Sequence, residues 1–208
     1  RSSDLLDQVA IPSDLRNFSG PQLRQVASLR VRKQPGAPQP QVWAMAQAPD
    51  GTVWLGAGSE LQQYSLERRL LRAVSHGGGM TRRLHVSTDG TVWAGSLPGG
   101  LFRSDDFGRS WQLNESLWQR KERLGWFGGG YPVPGIHSIC GHPTRADELF
   151  LGISCGGAWR STDVGASWTL CTQGMLADYM PPEQADDGNT QRGRGRWAHG
   201  GHCKIGRA

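Results

Sequence analysis

No stretch of about 18 apolar residues occurs in the 208-residue chain, so nothing in it is long enough to cross a membrane as a helix. Cys-x-x-Cys pairs are missing as well. The four cysteines, Cys140, Cys155, Cys171 and Cys203, are widely spaced, and reduced, mostly buried thiols are expected of them rather than a disulfide framework. No phosphate-binding loop, nucleophile elbow or dinucleotide fingerprint is present, so no cofactor is expected. The first residue is Arg1 and no apolar leader follows it. The chain is therefore expected to start after a processing event or inside a longer product, with its compartment unread beyond a lean toward the cytoplasm. Charge of one sign is scarce too. The net +5 equals the five cations Arg192, Arg194, Arg196, Lys204 and Arg207 of the last 17 residues, which leaves the body formally neutral and makes nucleic acid an unexpected partner.

Glycine is what the chain has in excess. Thirty of 208 residues are glycine, about double the ~7% of ordinary proteins and too many for a mostly helical one. The glycines do not fall at every third position, which excludes a collagen-like chain. Nine tryptophans instead indicate a packed core, and the length suits one domain or two small ones.

Self-similarity supplies the architecture. Residues 99–111 read GGLFRSDDFGRSW and residues 156–168 read GGAWRSTDVGASW, with eight of thirteen positions identical at an offset of 57. A second repeat relates PDGTVWLGA at 49–57 to TDGTVWAGS at 88–96, and ELFLGIS at 148–154 follows it more loosely, with Phe150 in the slot of Trp93. Each unit divides into four short apolar runs bounded by turn residues, which predicts four antiparallel strands per unit over about 42–75, 81–114 and 136–172. Within 42–172 no helix pattern competes. Four-stranded units recurring every 40 to 60 residues predict an all-β chain, a partial β-propeller of about three blades. Three blades leave open edges, so either the native product is longer or the chain self-associates through them. Residues 1–40 form an N-terminal segment and Pro-rich linker, the blades fill 41–191, and 192–208 form a basic Gly/Arg tail expected to be disordered or aberrant, the mark of a truncated or frame-altered product.

Ser104, Asp106, Gly108 and Trp111, with Ser161, Asp163, Gly165 and Trp168, resemble the Asp-box or BNR repeat, Ser-x-Asp-x-Gly-x-Ser/Thr-Trp. This motif is found in sialidase-like propellers, other glycoside hydrolases, sortilin-type receptors and photosystem assembly factors. Together with Trp126 to Gly130, Pro134 to Ser138 and Met180 to Glu183, the chain is similar over roughly 40–191 to poorly characterised bacterial BNR-repeat, glycosyl hydrolase-like proteins. The turn residues have a structural chemistry. The aspartate accepts backbone N–H bonds, the glycine takes a positive φ, and the tryptophan is expected to bury its ring beneath the hairpin.

Alternating strand direction puts the Asp-box turns on one face and the long connections 75–81, 115–135 and 173–191 on the other, where a ligand is expected. The candidate ligand-binding residues there are Arg82, Trp118, Trp126, Tyr131 and His137. Arg82 and His137 align with Trp43 at the start of each unit's first strand. Exposed aromatics beside carboxylates suit stacking on sugar rings. The bland alternative, in which the aromatics fold back over the blade edge, stays open. In function the sequence points to a non-catalytic module that binds a glycan or a protein; the alternative is a glycoside hydrolase of the sialidase-like superfamily. The resemblance would then require three arginines on a carboxylate, a Tyr/Glu nucleophile pair and an Asp acid. No such set is recognised, and the Arg-Ile-Pro element of those enzymes is not found. His199, His202 and Cys203 lack a second cluster and are not read as a metal site.

Overall fold

The computed structural model describes residues 42–65, 70–128 and 131–172. The N-terminal segment 1–40, the loop 173–191 and the tail 192–208 lie outside the described residues, as do His199, His202 and Cys203.

Twelve strands form three four-stranded antiparallel sheets, each with its strands in sequential order. The first sheet holds β1 (Ala44–Gln47), β2 (Val53–Ala57), β3 (Glu60–Tyr64) and β4 (Leu70–Val74). The second holds β5 (Met80–Val86), β6 (Val92–Leu97), β7 (Leu101–Ser104) and β8 (Gln112–Leu113). The third holds β9 (Ile136–Gly141), β10 (Leu149–Ile153), β11 (Gly157–Ser161) and β12 (Thr169–Leu170). Short turns make these meanders. Asp50 Oδ1 accepts from Thr52 N at 2.9 Å and Asp89 Oδ1 from Thr91 N at 3.0 Å, closing the first hairpin of the first two sheets.

The sheets stack through their first strands: β5 packs on β1 and β2 to one side and on β9 to the other. Small residues permit this approach. A Cβ on Gly56 would press into Thr81, and one on Gly95 would press into Ile136. Two cores result. Trp54, Leu61, Leu84, Ala94 and Phe102 fill the space between the first and second sheets, and Trp93, Ile136, Ile139, Leu151 and Trp159 the space between the second and third.

Three expectations need correction. A helix does occur within 42–172: α1 (Glu115–Trp118), followed by a 3-10 turn over Lys121–Gly125. Asn114 caps α1 by accepting from Leu117 N, and Leu117 is buried; one turn of helix is too short to show a period in the sequence. The fourth strands β8 and β12 are two residues long, shorter than expected, because Ser110 and Ser167 are held by aspartate carboxylates outside the ladder. The described cysteines are less buried than expected: Cys140 and Cys155 are half-buried and Cys171 is exposed. Cys140 lies across from Phe150 on the face of the third sheet that no described sheet covers, Cys155 lies in a turn, and Cys171 follows the short outer strand.

Candidate functional site

The two aspartate turns are built alike. Ser104 Oγ donates to Asp106 Oδ1 and accepts from Gly108 N, each at 2.7 Å. Asp106 Oδ1 also accepts from Arg109 N and Ser110 N at 2.9 Å, and Oδ2 from Ser110 Oγ at 2.6 Å. In the other turn Asp163 accepts from Ser161 Oγ, Ser167 N and Ser167 Oγ. The Ser110 hydroxyl and backbone N–H hold the Asp106 carboxyl well below the usual carboxylate range, and those of Ser167 bring Asp163 down to about 2. Carboxylates so firmly ionised and so fully engaged in their own turns are unsuited to proton transfer near neutrality.

Each turn also clasps the preceding sheet. Gly108 (φ 76°) lies on the Trp54 ring and Gly165 (φ 80°) on that of Trp93. The residue before each glycine, Phe107 or Val164, is also left-handed at φ 57°, a conformation that costs a non-glycine residue about 1 kcal/mol or more. Its carbonyl is thereby turned toward an arginine: Arg72 Nη1 donates to Phe107 O at 3.0 Å, and Arg103 Nη1 to Val164 O at 3.2 Å. The tryptophans follow the same logic. Trp111 packs edge-on to Trp54 of the preceding sheet, centroids 6.4 Å apart, and Trp168 Nε1 donates to Asn114 Oδ1 at 2.9 Å. Both reach across to the neighbouring sheet, and the buried Trp168 ring also lies against Gly165 of its own turn, as expected.

On the opposite face the second turns meet the long connections. Ser154 N donates to Gly135 O at 2.9 Å, Trp126 lies on Gly156, and Pro134 lies beside Gly99. Register places Trp43, Arg82 and His137 at equivalent starts of the first strands. Arg82 and His137 are each the extra residue of a β-bulge, between Thr81 and Arg83 and between Ile136 and Ser138, a device that re-aims a side chain. The Arg82 guanidinium lies 4.8 Å from the centroid of the Trp43 ring. Arg83 Nε donates to His137 O, and the His137 ring bonds Ser154 Oγ.

The chain matches no family model and no curated protein. It is similar to several solved structures. A GH74 xyloglucanase from Xanthomonas campestris shares 21% identity at a TM-score of 0.50, over 67% of this chain and 24% of that one. A YCF48 bound to D1 peptide shares 16% at 0.49, over 63% and 40%, and a streptogramin B lyase 14% at 0.43, over 60% and 38%. These are β-propeller proteins, of which the chain spans two fifths of the length or less. The three sheets are propeller blades. At these identities the likeness establishes the fold alone.

Among the candidate residues, the blades bring Arg82 and His137 to adjacent first strands and keep the aromatics apart from them on the connection 115–135. Trp126 is 6% exposed, its ring edge-on to Trp159 at 5.9 Å. It is a lid on the third blade, which is the fold-back alternative for this residue, and not an exposed platform for a ligand. Trp118 is half-buried, with the Arg123 guanidinium 3.3 Å from its centroid. Tyr131 is 53% exposed. The connection does not lie wholly on the face opposite the aspartate turns: Asn114 Nδ2 and Ser116 Oγ donate to Gly165 O at 2.8 and 2.6 Å, so it begins beside the third blade's aspartate turn and then crosses over. Sequence reasoning missed His76 altogether. It accepts from Gly78 N on Nδ1, donates from Nε2 to Thr81 Oγ1 at 2.9 Å and stacks on Phe102 at 4.4 Å. Burial lowers its pKa to about 4, and the connection between the first two blades is thereby closed down, not open. Among the described residues no cluster of three or more His, Cys, Asp or Glu could hold a metal.

Proposed function

We propose that these blades belong to a BNR-repeat, Asp-box propeller of the sialidase-like kind that binds a glycan or a protein ligand, without transforming it, through the face of the long connections. The observation that carries this reading is the exposure of four large apolar side chains on one connection: Leu124 (90%), Phe127 (38%), Tyr131 (53%) and Val133 (38%). Gly128 brings the backbone of Tyr131 and Val133 back against its own, so Phe127, Tyr131 and Val133 are neighbours. Aromatic and aliphatic surface of this kind, on a connection that also carries Arg120 and Lys121, is a recognition surface rather than a solvation shell.

The carboxylates of the same connection support binding over hydrolysis. Glu122 is paired with Arg120 at 2.7 Å, and its own backbone N–H and that guanidinium hold its carboxyl below the usual range; Glu115 accepts from Gln119 Nε2 at 3.1 Å. A glycosidase needs an acid whose pKa is raised, facing a second carboxylate at about 5–10 Å. Glycan and peptide arrays probed with the full chain test the reading, beside hydrolysis of fluorogenic glycosides. Array binding lost in Tyr131→Ala and Phe127→Ala, with melting unchanged, is the expected result. Turnover abolished by a single Asp or Glu substitution would favour the hydrolase.

A further inference from the structure

Most of the described arginines are tied down by the fold. Arg72 and Arg103 hold the carbonyls of Phe107 and Val164, Arg83 holds that of His137, and Arg120, Arg145 and Arg160 are paired with carboxylates. Arg123, on the connection that carries the exposed apolar side chains, is not. Its guanidinium lies 3.3 Å from the centroid of the half-buried Trp118 ring, and its side chain meets no acceptor and no carboxylate among the described residues. Its Nε is shut away from solvent. Stacking on a ring satisfies the face of a guanidinium but not its in-plane N–H donors, and a half-buried cation with empty donors is costly to hold. Burial also pulls this guanidinium below its ordinary pKa, the sign of a charge short of solvation. The neighbouring acid cannot serve it. Glu122 is committed to Arg120 at 2.7 Å, and Glu115 stands at the start of α1, near the aspartate turn of the third blade.

Resting on the reading of this connection as the ligand face, we infer that Arg123 on Trp118 is an anion clamp for an acidic peptide segment of a partner protein, one in which Asp or Glu stands beside a large apolar side chain. The peptide carboxylate accepts from the in-plane Nη groups of Arg123, which the Trp118 ring holds flat. The apolar side chain settles on Leu124, the next residue in the chain, and Phe127, both exposed. A peptide fits this surface better than a sugar. The broad rings on which a sugar would stack are taken, Trp118 by Arg123 and Trp126 by Trp159, whereas Leu124 and Val133 offer aliphatic surface suited to amino-acid side chains. Charge agrees. With Glu122 paired to Arg120, Lys121 and Arg123 are the cations that remain beside the apolar patch, so an acidic segment is drawn to it and a basic one repelled.

The test pans a phage-displayed library of random dodecapeptides on the full chain and titrates the selected peptides by fluorescence anisotropy. Selected sequences are expected to place Asp or Glu next to Phe, Leu or Tyr. Changing that acid to its amide in the peptide, or Arg123→Gln in the protein, should each weaken binding about 10-fold or more, and the two losses should not add, since both break one pair. Affinity should fall with added salt in wild type and much less so in Arg123→Gln, a difference that a merely structural role for Arg123 would not produce. Arg123→Lys keeps the charge but loses the planar fork and should fall between the two. Selected peptides that lack an acid, or that Arg123→Gln binds as tightly as wild type, overturn the inference; if Phe127→Ala still abolishes their binding, the connection stands as the ligand face. Peptides indifferent to both Arg123 and Phe127 overturn the two readings together. An acidic glycan bound in an Arg123-dependent way, with no peptide selected, also overturns the inference, since the occupant would then be a sugar.

Discussion

Replacing Asn114 with alanine removes one side chain that three elements share. Its Oδ1 accepts from Leu117 N at 3.1 Å, capping α1, and from Trp168 Nε1 at 2.9 Å, while Nδ2 donates to Gly165 O at 2.8 Å. Loss of an N-cap costs about 1 kcal/mol. Trp168 is buried, so its indole N–H would be stranded away from water at a cost of about 1–3 kcal/mol. Gly165 O keeps Ser116 Oγ at 2.6 Å and adds little. The sum is a loss of about 2–4 kcal/mol, read as a lower urea midpoint at unchanged m-value. A double-mutant cycle isolates the indole contribution. In Trp168→Phe the donor is already gone, so Asn114→Ala should there cost only the cap, about 1 kcal/mol. Equal costs in both backgrounds would refute the idea that Asn114 ties the third blade's aspartate turn to the second blade.

Four further outcomes are expected. Gly108→Ala forces a Cβ into the Trp54 ring at a left-handed φ and should destabilise by more than about 2 kcal/mol in chemical denaturation; a change under half of that contradicts the clasp. The folded pKa of Asp163 is about 2, below the ordinary 3.8. Its stabilising contribution is therefore fully present above pH 3.8 and lost as pH falls toward 2, so the stability gap between wild type and Asp163→Asn should close over that window. His76, at about 4 against 6.5, is kept neutral by the fold; its contribution is present above pH 6.5 and lost as pH falls toward 4, and an NMR titration of its ring with a midpoint near 6.5 would contradict the burial argument. Trp126→Ala should cost about 3–5 kcal/mol as a core truncation, whereas Tyr131→Ala should leave the Tm within about 1 °C.

The blades were legible because the signals are local. Turn glycines, alternating apolar residues and a duplicated Ser-x-Asp-x-Gly-x-Ser-Trp string fix hairpins within a dozen residues of one another. Trp43, Arg82 and His137 could be put at one register from the repeat alone, since equivalent positions in a repeat are equivalent in the fold. What the repeat could not reveal is what each blade does to the next. Arg72 and Arg103 are ordinary surface cations in the sequence, and only the stacking shows them reaching the carbonyls of Phe107 and Val164. Left-handed Phe107 and Val164 were equally hidden, because neither residue type favours that conformation on its own. Trp126 and Tyr131 look alike on a glycine-rich connection; burial separates them, and burial follows from how the connection folds over Gly156. Leu124 and Val133 passed unnoticed for the opposite reason, since isolated apolar residues in a sequence are read as core.

Calorimetric titration of the strongest array ligand into wild type, Tyr131→Ala and Asp106→Ala, at a temperature where all three are folded, sets the connection face against the aspartate turns. Loss of about 2 kcal/mol at a central aromatic corresponds to roughly 30-fold weaker binding. That is the expected result for Tyr131→Ala, with the Kd of Asp106→Ala matching wild type. Affinity kept in Tyr131→Ala but lost in Asp106→Ala would place the ligand on the aspartate-turn face and contradict the proposed site.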